Sequence, residues 1–167
     1  MELPEKIEAA IVKFLQGFIT TDVPPLSWPA TMNADKVVRI FPGENDQQKD
    51  GQCVLVIAGD SLEETPMFTG NNYIPVQVVV RTPIKQLTPD EIANQVPQPK
   101  SNHSLASSIL DAAIGQDPFE LVAAFNANGT DLTIMGGVLD RRQVRVQNEA
   151  YWESGWEFRL YCANRSF

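Results

Sequence analysis

The sequence predicts an α+β fold: a mostly antiparallel sheet of about five strands, with an N-terminal helix and two mid-chain helices packed on one face and long polar loops between them. Three observations support this class. The periodic segments run helix, three strands, two helices, two strands; the first has helical spacing; and the last alternates apolar and polar residues. The 167 residues fit a single domain over 1–167 and suffice for a sizeable core.

The N-terminal helix is predicted over residues 5–19. Pro4 suits a first helical turn, and Glu5 suits the positive end of the helix dipole. The proline-rich stretch 20–35 has no period and is predicted to be an irregular connection anchored by Trp28. The apolar residues of the helix recur at three- and four-residue steps and form one stripe: Ile7, Ala10, Ile11, Phe14, Leu15 and Phe18.

Three strands are predicted next. Residues 36–41 and 52–59 flank the polar segment 42–51, and together they predict a hairpin with a long polar tip. The second of these strands is apolar on both faces, which is typical of a central strand. The third, over 73–83, contains Pro75, which lacks an N–H and is therefore expected at the strand start or on an edge.

The segment 83–103 holds four prolines and little periodic apolar content. Such a long loop in a compact domain is usually functional or disordered. Within it, Thr88 followed by Pro89 and Glu91 predicts a short helix with a capping box.

Two helices and two strands complete the predicted fold. The helices span 104–115, with Ser104 as cap, and 117–129, with Asp117 as cap. A strand over 132–148 is expected to bend or bulge at its two glycines, Gly136 and Gly137. The closing strand, over 155–163, should place one row of side chains under the helices: Trp156, Phe158, Leu160 and Cys162.

The composition narrows the classes of function. A net charge of −8 repels phosphate and disfavours free nucleic acid as a ligand, although it can steer a basic partner. Charged residues interrupt the apolar positions of 1–20, so no signal peptide is predicted, and no stretch approaches a membrane span. We expect a soluble protein made in the cytoplasm, without a membrane partner.

No motif of a common catalytic or cofactor site occurs. The chain lacks the phosphate-binding and dinucleotide-binding glycine motifs, the two-histidine zinc motif, C-x-x-C and the nucleophile elbow. The prediction is therefore a binding or structural protein and not an enzyme, with no catalytic, cofactor-binding or metal-binding residues and no cofactor.

Two weaker candidates have simpler interpretations. The only histidine, His103, falls in the proline-rich segment, where a solvated loop residue is favoured over a catalytic one. Glu44, Asp46 and Asp50 are spaced somewhat like a calcium loop, but the central glycine and terminal glutamate of an EF-hand are missing. A solvated hairpin tip is the favoured interpretation of those three carboxylates.

The basic segment 140–145 places Arg141, Gln143 and Arg145 on one strand face and Arg142 on the other. An ion-pair ladder is favoured, followed by a contact with a partner chain and then by a phosphate site. The aromatic residues of the closing segment favour a core role, followed by a protein interface and then by ligand stacking; they are Tyr151, Trp152, Trp156 and Tyr161.

The two cysteines, Cys53 and Cys162, lie in apolar strand patterns. They are interpreted as small buried hydrophobic residues in a reducing compartment. A disulfide remains an alternative that depends on the distance between their strands.

The layout as a whole resembles the tail-terminator (tail-completion) proteins of long-tailed bacteriophages and prophages. The resemblance rests on the amphipathic N-terminal helix, "VVRIFPG" and "GQCVLVIAGD", the loop and strand "EETPMFTGNNYIPVQVVVRT", the mid-chain helices and the closing "RRQVRVQNEAYWESGWEFRLYCANR". It covers most of the chain as a similarity of layout and strand texture.

The resemblance implies a structural virion protein, assembled in the host cytoplasm, that forms a hexameric ring. Such a ring would cap the tail tube protein and receive the head–tail connector, while DNA passes through its lumen without specific binding. The polar loops 42–51, 60–72 and 83–103 would serve as contact arms, with 63–72 as the best tube-facing candidate. Alternatives are another neck component, such as a head-completion (stopper) protein, and a small α+β ligand-binding or enzymatic domain.

Overall fold

The structure is a computed structural model that describes residues 2–34, 37–43, 51–60, 62–63, 71–96 and 98–163. It confirms the α+β class, with helices packed on one face of a mostly antiparallel sheet. The described residues contain four α-helices: α1 (Leu3–Gln16), α2 (Pro89–Ala93), α3 (Pro99–Ile114) and α4 (Pro118–Asn128). The strands are β1 (Asn33–Ala34), β2 (Val37–Val38), β3 (Ile40–Pro42), β4 (Cys53–Ala58), β5 (Leu62–Glu63), β6 (Asn71–Pro83), β7 (Ile134–Gln147) and β8 (Tyr151–Ala163).

The main sheet has the strand order β3-β4-β6-β8-β7, and β5 pairs with the start of β6. The long strands β6 and β8 form its centre and pair antiparallel over their whole length. β1 and β2 form a separate two-stranded ladder. The edges of the main sheet are therefore the three-residue β3 and the fourteen-residue β7.

The N-terminal helix forms, but it begins earlier and ends earlier than predicted. A capping box between Glu2 and Glu5 starts it, and Gly17 follows its last residue. The predicted apolar stripe faces the sheet, and α4 packs beside it, where the ring of Phe14 meets Phe125 edge to face at 5.6 Å. The stripe and the cap together explain why this segment is helical.

The predicted hairpin of 36–41 with 52–59 is wrong. β3 runs parallel to β4, with Ile40 opposite Val54 and Pro42 opposite Val56. Periodicity predicts a strand but not its direction, because direction is decided by contacts that are distant in the sequence. The predicted hairpin tip falls largely on residues 44–50, which lie outside the described residues.

Pro75 lies inside β6 and neither at the start of that strand nor on a sheet edge, contrary to the prediction. Its carbonyl accepts a hydrogen bond from the N–H of Gly59 at 2.8 Å. The side of Pro75 that lacks an N–H therefore faces the gap between the end of β4 and the start of β5. A proline is tolerated here because the ladder between β4 and β6 ends at the pair Ala58–Val76, so no N–H is required of Pro75.

About half of the predicted loop 83–103 is helical: residues 89–93 form α2, and residues 99–103 are the start of α3. α2 has the predicted cap, since the Thr88 hydroxyl accepts from the Glu91 N–H at 3.2 Å and Glu91 bonds back to the Thr88 N–H. The following helix begins at Pro99 with Gln98 as N-cap, so Ser104 is not the predicted cap but an interior residue. Proline at the first helical position explains the earlier start. The prediction for the next helix is confirmed, because the Asp117 carboxylate accepts from the Phe119 N–H.

The closing strand begins at Tyr151, four residues earlier than predicted, and forms a hairpin with β7. The expected irregularity near Gly136 and Gly137 is confirmed as a register shift between Ile134 and Val138, and a second shift falls between Leu139 and Arg142.

The predicted inward row of β8 faces the helices. Phe158, Leu160 and Cys162 are buried, and Trp156 is half-buried, with its indole Nε1–H donating to Asp111 Oδ1 of α3 at 2.9 Å. This row packs against the apolar faces of α1, α3 and α4 and forms the main core.

The opposite, outer face of the sheet has a second buried cluster. Cys53, Leu55 and Val79 are at most 1% exposed, although no helix among the described residues covers that face. The sheet is curled, and Phe41 and Ile57 pack against the cluster. Gly155 lets β8 approach β6 closely on this face, because a Cβ there would lie 2.0 Å from the Val78 carbonyl oxygen of β6.

Candidate functional site

His103 is at the centre of a polar network between α3 and the sheet. It lies in a helix and is half-buried, so the prediction of a solvated loop residue is wrong. Its Nδ1 is 2.6 Å from the Thr82 hydroxyl of β6, and its Nε2 is 3.0 Å from the Ser154 hydroxyl of β8. Both ring nitrogens therefore form hydrogen bonds with side chains of the sheet.

The network continues on both sides of the imidazole. Gln52 Nε2–H donates to the Thr82 hydroxyl at 3.1 Å, and Gln52 Oε1 accepts from Thr31 at 2.5 Å. On the other side, the hydroxyls of Ser154 and Ser107 are 2.9 Å apart. Six polar side chains thus form a continuous chain of hydrogen bonds across the helix–sheet interface.

A neutral imidazole satisfies this network. Thr82 accepts from Gln52 and donates to Nδ1, while Nε2–H donates to Ser154. Protonation would make both ring nitrogens donors and leave the Thr82 hydroxyl hydrogen without this acceptor. Burial also lowers the pKa of His103 below its ordinary value of 6.5.

The Ser154–His103 contact has the atoms of a nucleophile and a base, but its surroundings differ from those of a serine hydrolase. The third partner is the hydroxyl of Thr82 and not a carboxylate that could stabilise a positive imidazolium. Ser154 is only 8% exposed, which restricts access to its hydroxyl. The geometry favours a structural role, in which these hydrogen bonds fix the position of α3 on the sheet.

Sequence reasoning missed the strand partners of His103. A usable signal existed, because Thr82 continues the row of apolar residues on β6 and Ser154 continues the row on β8. Polar residues in an otherwise inward-facing row must find hydrogen-bond partners, and a nearby helix is the expected source.

The side chains of the basic segment of β7 are divided between the two faces of the sheet. As predicted, Arg142 lies on one face, and Gln143 and Arg145 lie on the other. Arg142 pairs with Glu157 on the outer face, which agrees with the favoured ion-pair interpretation. Arg145 lies opposite Ser154 on the helix side and has no ion-pair partner among the described residues. The side chain of Arg141 lies outside the described part.

The four aromatic residues of the closing segment occupy different environments. Trp156 packs against the main core, as favoured from the sequence. The Trp152 ring lies 6.1 Å from the His103 ring on the helix side. Tyr151 is on the outer face, where the Arg81 guanidinium sits 4.5 Å from its ring centroid. Tyr161 pairs across the sheet with Tyr73.

The cysteines are free and buried, as favoured from the sequence. Cys53 lies opposite Arg81 and Cys162 opposite Asn72, so nine residues of β6 separate their positions, roughly 30 Å at the rise of a strand. That separation excludes a disulfide between them. Burial raises the pKa of both thiols, to about 11 for Cys162.

The hairpin end of β7 is an open edge. In the described residues β7 pairs with β8 alone. The Asn148 N–H donates to the Tyr151 carbonyl at 3.1 Å, so these two residues are a hydrogen-bonded pair. In an antiparallel ladder every second residue points its N–H and C=O away from the partner strand. On β7 these residues are Gln143, Arg145 and Gln147. Exposed apolar side chains, Met135 at 63% and Val146 at 46%, lie on the same strand.

Other predicted features add little to the site. The acidic residues of 44–50 and most of the predicted tube-facing loop 63–72 lie outside the described residues. Across the described ranges, no three His, Cys, Asp or Glu side chains gather where they could hold a metal ion. None of the helices described is long and apolar enough to cross a membrane.

No protein-family model matches the chain, and no curated protein matches it. A functional proposal therefore rests on the layout of the sequence together with the fold and its surfaces.

Proposed function

We propose that this protein is a tail terminator: a non-enzymatic virion protein that assembles as a ring on the end of a phage tail tube and joins the tail to the head connector. The proposal combines the resemblance in sequence layout with one structural observation, the long open edge of β7. The ring is expected to be a hexamer, with DNA passing through its lumen.

The edge of β7 supports assembly because it presents unpaired backbone groups. Fourteen residues long, it lies at the opposite side of the sheet from the three-residue β3. The two edges differ in length and chemistry. A contact between the β7 edge of one copy and a different surface of the next copy would therefore join two unlike patches, which is a heterologous contact. Heterologous contacts close into rings when the rotation between copies permits it. Pairing the edge would also remove an aggregation hazard.

Charge supports the same interpretation. The chain carries −8 overall, and β7 carries three of its thirteen basic residues within five positions, Arg141 to Arg145. A basic edge on an acidic protein attracts the acidic surface of a second copy. An acidic lumen would let DNA slide through, because like charges repel.

Assembly of the purified protein tests the edge directly. Gln143→Pro removes a backbone N–H that points away from β8, so it should prevent ring formation while leaving the fold intact. Gln143→Thr keeps that N–H and is the matched control. Mass measurements at high protein concentration should show rings for the wild type and the control and monomers for the proline variant. Rings formed by the proline variant would exclude the β7 edge as the contact.

Deletion of the gene from the producing phage tests the role. Without a terminator, heads and baseplates should be intact, while tail tubes exceed their proper length or fail to join heads. The reason is that stacked rings are an open assembly that stops only when a different surface binds its end. Normal tails attached to filled heads would contradict the proposal. Normal free tails with heads that lose their DNA would indicate the stopper alternative, which also uses a ring.

A further inference from the structure

A groove of about 470 Å³ separates α3 from the hairpin end of β7 on the helix side of the sheet. α3 packs on β6 and β8, while α4 packs near the start of β7, so neither helix covers this end of the strand. Trp152 and Ser154 of β8 form the floor, and Arg145 and Gln147 of β7 form one wall. The volume is in the range of small-molecule sites.

The wall contributed by α3 is polar along its whole length. Its groove-lining residues recur at helical spacing, and each carries a hydroxyl or carboxylate: Ser104, Ser107, Ser108 and Asp111. A helix face directed toward a sheet is ordinarily apolar, because that contact forms the core. The polar face thus marks a space that is not filled by core packing.

Two donor groups in the groove are open to a ligand. The Arg145 guanidinium, on an exposed residue, and the Trp152 indole N–H have no hydrogen-bond partner in the part of the chain that the structure describes. Of the two carboxylates in the lining, Glu153 pairs with Arg81 on the outer face, and Asp111 Oδ1 accepts from the uncharged Trp156 indole at 2.9 Å. A ligand that carries acceptor oxygens can therefore bond to Arg145 and Trp152.

The half-buried Trp152 ring adds a flat apolar surface beside these donors. The His103 ring lies 6.1 Å from it and is held by hydrogen bonds at both nitrogens, so the Trp152 ring has a fixed neighbour on one side. A fixed aromatic ring next to a guanidinium favours a ligand with a flat ring and an anionic group.

We propose that this groove binds a small organic anion, with its carboxylate or phosphate oxygens on Arg145 and its flat ring on Trp152. The proposal does not rest on the tail function, although Arg145 belongs to the basic segment of β7 that the assembly contact would also use. The ligand would enter the groove from the face of the sheet that carries the helices. The unpaired backbone groups of β7 point in the plane of the sheet, so they face a different direction. Binding connects α3 to the hairpin end of β7 and so stabilises the folded protein.

The test uses benzoate and phenyl phosphate as probes, with inorganic phosphate and benzyl alcohol as the half-ligands. Tryptophan fluorescence and the indole N–H signals in NMR report binding, and the melting temperature reports stabilisation. Saturable changes at the Trp152 signal with either ring-bearing anion, and much weaker ones with the half-ligands, are expected. The stronger of the two ring-bearing probes identifies the anionic group. No saturable change with either would overturn the proposal.

Variants locate the site. Arg145→Gln should weaken probe binding about tenfold or more, since it removes a charged hydrogen-bond donor. Arg142→Gln removes the same charge from the outer face of the same strand and should leave the affinity unchanged. Trp152→Phe retains a ring but loses the N–H, and it should weaken binding less than Arg145→Gln does. Equal losses in the Arg145 and Arg142 variants would show attraction to general surface charge and would overturn the assignment.

Discussion

Gly155→Ala tests how the sheet buries its outer face. The added Cβ would lie 2.0 Å from the Val78 carbonyl oxygen and 2.7 Å from the Val79 Cα, both backbone atoms of the neighbouring strand. Real Cβ atoms do not approach within 3.0 Å, so β6 and β8 must separate by about 1 Å at this point. We expect a loss of about 3 kcal/mol in the free energy of unfolding, at the upper end for overpacking, because backbone cannot move aside as a side chain can.

The measurement is urea unfolding followed by circular dichroism and tryptophan fluorescence. For a domain of this size, 3 kcal/mol corresponds to a fall of roughly 6–12 °C in melting temperature. Gly17→Ala is the matched control, because its Cβ would meet only helix carbonyls at 3.8–3.9 Å, in ordinary contact. A Gly155→Ala variant within about 0.5 kcal/mol of wild type would refute the close approach of β8 to β6 at this point.

Three further outcomes follow from the buried groups. Leu160→Ala, at a fully buried position, should lower the free energy of unfolding by about 2–5 kcal/mol through lost transfer energy and a cavity, and an unchanged urea midpoint would contradict its inward orientation. The pKa of His103 is lowered in the folded protein, so the unfolded state binds more protons below about pH 6.5, and the free energy of unfolding should fall between pH 7 and 5. In His103→Gln the free energy of unfolding should depend less on pH over that range. An equal pH dependence in the two proteins would contradict a buried, neutral His103. Cys162, with a pKa raised to about 11, should react with a thiol reagent at pH 8 far more slowly in the native protein than in urea; equal rates would mean that the thiol is accessible.

Local signals in the sequence predicted the elements whose stability is local. The capping box at Thr88 and the cap at Asp117 gave correct helix starts, and the alternation from Trp156 onward identified the buried face of β8. The isolated glycine at 155 in a strand pattern is also a local signal, since it indicates close backbone approach.

Pairing direction and polar partners could not be predicted in the same way. The parallel alignment of β3 depends on contacts between residues far apart in the chain, which no short pattern encodes. The four prolines of 83–103 predict a loop around His103, although one of them, Pro99, is the first residue of a helix. Its partners Thr82 and Ser154 are 21 and 51 residues away, so only the fold shows that they meet.

The irregularities of β7 restrict where a second copy could pair. Proteins that must stay monomeric protect edge strands with bulges and charged residues. β7 has both, but its two register shifts lie between Ile134 and Arg142, and pairing with β8 is continuous from Arg142 to Gln147. The first half of the strand is thus shaped against addition, while the second half presents a regular edge of six residues. In that second half Arg142 and Arg145 are the protecting charges, and they limit the partners to surfaces that complement them. The regular half is therefore the part that an assembly contact with an acidic surface would use, and Gln143 lies within it.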